Sequence, residues 1–219
     1  MPKVEKYKYF PILIDLCDKK VLVVGAGNIA SRKLETLLNY DCQITIISPI
    51  ISKKIQELEK KGLINIIKRK YISGDANSFD IVFSAIEDKT TEMIIHNDCR
   101  NNKILLNVAD VPELCSFIMP ATVSRGNLTI SIASQGKSPF LVKEIKEKIK
   151  SLIPEVYSDY SKLSAEFREK LISVKSLNEA DKFDLIKRFL EIDFITIIQE
   201  TGLGEARKKM CELIKEKNE

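Results

Sequence analysis

The chain of 219 residues has one histidine, His96, and five cysteines, at positions 17, 42, 99, 115 and 211, with no Cys-x-x-Cys pair. Clustered His and Cys ligands of the zinc or transition-metal kind are therefore missing, and no metal site is predicted. A Ser-His-Asp or Cys-His catalytic system is equally hard to assemble, which disfavours hydrolases. His96 falls within a helix pattern away from strand ends and reads as a surface or partly packed residue. The N-terminus, MPKVEKYKYFPILIDL, lacks the apolar core of a signal peptide, and no run approaches about 18 apolar residues. The scattered cysteines are thus expected to be reduced thiols, the chain cytoplasmic, and a membrane no partner. Gly and Pro are few, 8 and 7, which excludes fibrous or low-complexity protein. Charge of one sign is also scarce: 35 basic against 31 acidic residues leave +4, and nucleic acid is not an expected partner.

What is present points to a globular protein, 44% hydrophobic and 30% charged, of about one and a half domains at roughly 150 residues each. The first 110 residues alternate strand and helix patterns. Val21–Val24, Gln43–Ile47, Ile64–Ile67, Ile81–Ser84 and Ile104–Asn107 are short apolar, mostly β-branched runs. Between them, apolar residues at 29, 30, 34, 37 and 38, the Lys/Glu-rich stretch 53–61 ended by Gly62, and Thr90–Asn101 carry helix spacing. Strands joined through helices imply crossovers and a parallel sheet covered on both faces: an α/β, Rossmann-like, doubly wound domain.

After Asp110 the rhythm changes. Ser116–Val123, the turn 124–127 and Leu128–Ala133 predict a β-hairpin, and Ser138-Pro139 opens a helix through Lys150, with Ser as N-cap and Pro first. A lone hairpin is marginal and open-edged, so it is expected to pair with the main sheet or with its counterpart in a second subunit. From Pro154 the patterns are helical: 155–172, 178–192, 194–200 and 205–217. The resulting division is a dinucleotide-binding Rossmann domain at 1–112, a dimerisation segment at 113–150 and a helical C-terminal domain at 151–219.

Gly25-Ala26-Gly27-Asn28-Ile29-Ala30 fits G-x-G-x-x-G/A, leaving the first strand and opening a helix. There Gly25 permits the tight turn, Gly27 lets the backbone approach a pyrophosphate, and Ala30 allows close helix–strand packing. The acid that commonly binds the ribose hydroxyls, at the end of the second strand, is absent. Ser48-Pro49-Ile50 stands in its place, where a serine hydroxyl and backbone amides can substitute. NAD and NADP both stay open on these residues, and Lys53 and Lys54 nearby read as solvated. Ala85, just past the fourth strand, is a further candidate for cofactor contact.

Asp110 lies just past the strand Ile104–Asn107, at the edge where doubly wound sheets place their ligands. It reads either as a general base, tuned by burial, or as a loop cap before Val111-Pro112. The stretch 131–139 (SIASQGKSP) reads either as an anion-binding loop or as an ordinary helix start. Over 113–150, six basic against three acidic residues suit an anionic ligand, with Arg125, Lys137 and Lys143 as candidates.

Taken together these motifs resemble the siroheme-synthase N-terminal family, the precorrin-2 dehydrogenases. The resemblance rests on Tyr9-Phe10-Pro11-Ile12, Val21–Gly27 with Ala30, Arg32 and Lys33, Asn107-Val108-Ala109-Asp110, Ser116–Ala121 (SFIMPA) and Ile132–Pro139 (IASQGKSP), in order over about residues 7–150. It implies oxidation of precorrin-2 to sirohydrochlorin with hydride passed to NAD, and in some members ferrous-iron (Fe2+) insertion as well. By position, Asp110 matches the family's essential aspartate, Asn28, Ile29, Pro49 and Ile50 its NAD contacts, and Ser134 the loop lining its tetrapyrrole cleft. It further implies a homodimer with interlocking middle segments, and a substrate of eight carboxylates suited to Arg125 and Lys137. With no methyltransferase segment in this sequence, methylation is expected from another protein. Two rival readings remain: a non-enzymatic NAD-sensing dimeric regulatory module, and a chelatase only.

Overall fold

The computed structural model describes residues 8–215, so the expected last helix is followed to Lys215 and its final two residues, like positions 1–7, lie outside the described residues. The chain divides into two compact units, Met1–Met119 and Pro120–Glu219.

In the first unit five strands, β1 (Lys19–Val24), β2 (Cys42–Ile47), β3 (Asn65–Ile67), β4 (Ile81–Ser84) and β5 (Leu105–Val108), form one parallel sheet in the order β3-β2-β1-β4-β5. The chain runs outward from β1 to β3, then restarts on the other side at β4. The β1/β4 boundary is therefore the point at which carboxyl-end loops diverge and open a crevice. The uninterrupted apolar runs follow from burial on both faces. Val21, Val23, Ile44, Ile46, Ile81 and Phe83 pack under α1 (Asn28–Leu37) and α2 (Lys53–Lys60). Leu22, Val24, Ile47, Val82, Leu106 and Val108 pack on the other face, with Ile95 and Cys99 of α3 (Lys89–Asn101). The predicted doubly wound α/β fold is thus the one observed.

Residues 116–120 do not begin the hairpin as expected, since its first strand starts at Ala121. Ser116 is tied to the end of the sheet: its N–H donates to the Leu106 carbonyl (2.9 Å), and its Oγ accepts from the Leu106 N–H (2.8 Å). Pro120, with no N–H to give to a ladder, precedes the first hairpin strand.

In the second unit β6 (Ala121–Arg125) and β7 (Leu128–Ile132) pair antiparallel, with Arg125 opposite Leu128. The turn is therefore the pair Gly126-Asn127, two residues rather than the predicted four. Gly126 has φ +58°, and a Cβ there would lie 2.4 Å from Ser161 Oγ and 2.6 Å from the Ser158 carbonyl oxygen. The hairpin remains its own two-stranded sheet, unpaired with the main one, and packs on α4 (Pro139–Leu152) and α5 (Tyr157–Ser173). With α6 (Glu179–Glu191), α7 (Phe194–Thr201) and α8 (Leu203–Lys215), α5 encloses a core of Leu163, Phe167, Leu185, Phe189, Phe194 and Met210. Phe189 stacks on Phe167 with ring centroids 4.2 Å apart. Helix α4 differs: none of its fourteen residues is buried, and Phe140 and Leu152 are 79% and 75% exposed.

Candidate functional site at the carboxyl edge of the sheet

The turn from β1 into α1 is built by two glycines with different work. Gly25 has φ +104°, and a Cβ on it would stand 2.4 Å from the carbonyl oxygen of Ala85, where the loop after β4 passes beneath. Only glycine fits that crossing. Gly27 has an ordinary φ of −78°, and a Cβ there would meet nothing within 4 Å. The space above it is open, as a cradle for a phosphate requires. Gly27 is the N-cap of α1 and has no side chain to accept from the first amides, and the first turn holds no acid. By contrast α2 and α3 are capped by Ser52 and Asp88. The first amides of α1 and the positive end of its dipole are left to an anion. These residues fit the pyrophosphate of a dinucleotide.

Around this turn stand the other predicted contacts. Asn28 and Ile29 open α1, and Ile29 is 42% exposed. Past β2, Ser48 is buried and its hydroxyl donates to the Ile50 carbonyl (2.8 Å), closing the Ser48-Pro49-Ile50 bend, whose Ile50 side chain is exposed. The serine oxygen retains acceptor capacity, but its proton belongs to the bend. Lys54 is ion-paired with Glu35 of α1. At the end of β4, between Val24 and Val108 in register, the fully buried Ser84 Oγ has no hydrogen-bond partner, the one such side-chain atom among the described residues.

Asp110 terminates the loop after β5. Its φ is +60°, a left-handed conformation uncommon outside glycine and characteristic of constrained sites. The Ala109 N–H donates to the Ser84 carbonyl (2.9 Å), continuing the ladder to the residue before it. Behind the turn the buried Cys115 Sγ accepts from the Val108 N–H at 3.1 Å and lies 3.4 Å from the Val111 carbonyl. From the N-terminal segment, Lys8 Nζ (3.2 Å) and the Tyr9 hydroxyl (3.4 Å) both donate to the Pro112 carbonyl. The turn is thus held on both sides. Asp110 itself is exposed.

Lys33 of α1 is a buried-face cation absent from the predicted site residues. Its Nζ donates to Asn107 Oδ1 at 2.6 Å and lies 4.9 Å from the centroid of the Phe83 ring. Burial holds the ammonium below the ordinary lysine range, opposed by the Cys115 thiol and the Asp110 carboxylate. A sequence signal existed. Lys33 sits three residues after Ala30 and four before Leu37, on the face of α1 that is buried, whereas a solvated lysine belongs on the opposite face.

In the second unit, Ser134 and Lys137 occupy the loop before α4, where Gln135 and Gly136 are consecutive left-handed residues, φ +54° and +76°. Ser134 Oγ accepts from the Ser138 N–H (2.9 Å), and Ser138 is the N-cap residue but makes no side-chain cap. The expected side-chain cap by Ser138 is therefore not made, and Ser134 closes the loop ahead of the helix instead. Arg125, expected to face an anionic ligand, ends β6. Its side chain is 12% exposed, donates to the Ile153 carbonyl (2.9 Å) and the Ser124 carbonyl (2.9 Å), and pairs with Glu155 (3.0 Å), which anchors the hairpin within its own unit. His96, half-buried, faces the Leu114 carbonyl from α3 through Nδ1 (3.3 Å).

Among the described residues no three His, Cys, Asp or Glu side chains are grouped to hold a metal ion, and no helix is long and apolar enough to cross a membrane.

Residues 12–121, half of the chain, match the model of a family described as "Putative NAD(P)-binding". The siroheme synthase of Pseudoalteromonas atlantica is 36% identical over 162 residues, 74% of this chain and 35% of that protein. That of Ruthia magnifica is 34% identical over 192 residues, 88% and 40%, and that of Saccharophagus degradans 31% over 196, 90% and 42%. The chain spans about a third of the length of the first of these relatives. Among solved structures, the one titled "SirC, precorrin-2 dehydrogenase" aligns with a TM-score of 0.72 at 28% identity, over 96% of this chain and 99% of that one. The glycine turn, the Asp110 turn and these matches together place the chain in the NAD(P)-binding family of precorrin-2 dehydrogenases and siroheme-synthase N-terminal regions.

Proposed function

We propose that the chain is an NAD-dependent precorrin-2 dehydrogenase of siroheme synthesis, producing sirohydrochlorin, with Asp110 as general base. The observation that carries this reading is one sheet edge bearing both an open, uncapped glycine turn and a carboxylate held in a left-handed turn two strands away. The solved dehydrogenase that shares the fold supports it.

Gly25, Gly27, Asn28 and Ile29 hold the pyrophosphate, and Ser48, Pro49, Ile50 and Ala85 line the rest of the dinucleotide path. NAD is taken as the cofactor in this reading, and Lys54, close after the β2 loop, is already paired with Glu35, which leaves it a poor ligand for a 2′-phosphate. Bound NAD supplies the hydride acceptor. Asp110 takes up the proton that the tetrapyrrole releases as it is oxidised, and its exposure allows that proton to pass to water. Ser134 and Lys137 are assigned to the substrate's carboxylates.

The protein acts as a homodimer in this reading. Helix α4 presents Phe140, Leu141 and Leu152 to solvent, and the hairpin beside it keeps open edges. Faces of this kind are characteristic of subunit contacts.

The test is Asp110→Asn, nearly isosteric and unable to accept the proton. Turnover of precorrin-2 is expected to fall at least about 100-fold with NAD binding within about twofold of the parent, measured by titration of intrinsic fluorescence. Full turnover by this variant contradicts the assignment of the base.

A further inference from the structure

The strand β5 lies at the edge of the parallel sheet. The N–H groups of Leu105 and Ala109 donate inward, to the Asp80 (3.2 Å) and Ser84 (2.9 Å) carbonyls. Alternation along the strand therefore turns the N–H and C=O groups of Leu106 and Val108 toward the free edge. Both residues are buried, so these groups need partners. The pair Cys115-Ser116 supplies them. Ser116 serves Leu106 with its N–H and its Oγ. Cys115 Sγ serves Val108: it accepts from the N–H at 3.1 Å and stands 3.3 Å from the carbonyl. The same sulfur lies 3.4 Å from the Val111 carbonyl. It thus meets the chain two residues before Asp110 and again one residue after it. Between those points Asp110 holds φ +60°, a conformation that persists only where the surroundings over-determine it. Lys8 and Tyr9 reach Pro112, one residue outside this turn.

We propose that Cys115 is a positioning residue for the reaction: its buried sulfur, bonded to both arms of the 108–111 turn, fixes the direction in which Asp110 presents its carboxylate. This goes further than, and rests on, the assignment of Asp110 as base. The sulfur accepts the Val108 N–H, while its own proton goes to the Val108 or the Val111 carbonyl, one at a time. The thiol takes no part in bond making. A hydroxyl offers the same donor and acceptor and can stand in for it, whereas a methyl group cannot.

The test compares the full-chain parent with Cys115→Ala and Cys115→Ser in precorrin-2 oxidation and in hydrogen exchange of the Val108 amide, followed by NMR. In Cys115→Ala the Val108 N–H loses its acceptor, and its exchange is expected to quicken about tenfold. Turnover, kcat per NAD-binding site, should fall at least about tenfold, as for a reacting group moved out of line. NAD affinity and the KM for precorrin-2 should stay within about twofold of the parent, since no residue assigned to either ligand is changed. Cys115→Ser returns both the exchange rate and kcat toward the parent. Loss of stability alone would lower the melting temperature and the number of NAD sites without changing kcat per site. NAD titration and thermal unfolding confirm that each variant is folded. If Cys115→Ala is not, Cys115→Val, which keeps bulk without a polar atom, is read in its place with the same expected losses. A folded apolar variant with parental kcat overturns the inference, as does one in which Val108 exchanges as in the parent, or a Cys115→Ser protein as impaired as Cys115→Ala. Asp110→Asn in the same assay separates the two levels. If it is inactive and Cys115→Ala keeps parental kcat, the inference alone falls; if it retains full turnover, the base assignment falls and takes the inference with it.

Discussion

Alanine at Gly25 and alanine at Gly27 are expected to fail in opposite ways, although both glycines belong to one motif. At Gly25 two penalties add. The backbone sits at φ +104°, where an L-residue costs roughly 1–2 kcal/mol or more, and the new methyl would lie 2.4 Å from the Ala85 carbonyl oxygen, an overlap relieved only by backbone movement at about 1–3 kcal/mol. The sum is about 2–5 kcal/mol, which for a unit of this size lowers its unfolding temperature by on the order of 10–20 °C. At Gly27 the φ of −78° suits alanine and no atom lies within 4 Å of the added methyl. Stability should fall by no more than about 1 kcal/mol, the cost of a poorer N-cap. NAD affinity should drop at least about tenfold, because the methyl fills the approach left for the pyrophosphate. Circular-dichroism melts and calorimetric NAD titration on the two variants read this directly. A Gly25→Ala protein that melts with the parent, or a Gly27→Ala protein that binds NAD as tightly, would refute the division of labour.

Two further outcomes follow from groups outside the glycine turn. Asp75 is held below the usual carboxylate range, chiefly by its hydrogen bonds from Arg69 (2.6 and 2.8 Å). Its contribution is complete above the unfolded value near pH 4 and is lost as pH falls through the lower folded value. Urea midpoints should therefore decline as pH falls below about 4 in the parent, and less steeply in Asp75→Asn; identical slopes would contradict the clamp. On α4, Phe140→Asp combined with Leu152→Asp places charges on an exposed apolar face. It should convert a dimer to monomers in sedimentation velocity without loss of helix content, and a parent that already sediments as a monomer would sink the dimer.

Much of the first unit was legible because its signals are local. The five β-branched runs, the helix spacing between them and the glycine turn all survive into the structure, since a strand buried on both faces has no alternative to being apolar throughout. The hairpin was legible in kind but not in bounds. Ser116 looks like strand sequence, and only its bonds to Leu106, ten residues away, take it from the hairpin and give it to the sheet. Arg125 read as a cation available to an anionic ligand because its partners, Ile153 and Glu155, come from a segment about thirty residues further on. Lys33 went unselected for the same reason, since its hydrogen-bond partner Asn107 is 74 residues distant. Asp110 was picked out by its place after β5, but its left-handed backbone is not written in local composition. What the sequence hides here is pairing between polar groups far apart along the chain.

Dehydrogenase activity is read by mixing the full chain with precorrin-2 and NAD in the absence of oxygen and following NADH absorbance together with the spectrum of the tetrapyrrole. NADH and sirohydrochlorin should rise together in equal amounts, and neither should form when NAD is omitted. If NAD binds yet precorrin-2 remains unchanged, the chain is not the dehydrogenase proposed here.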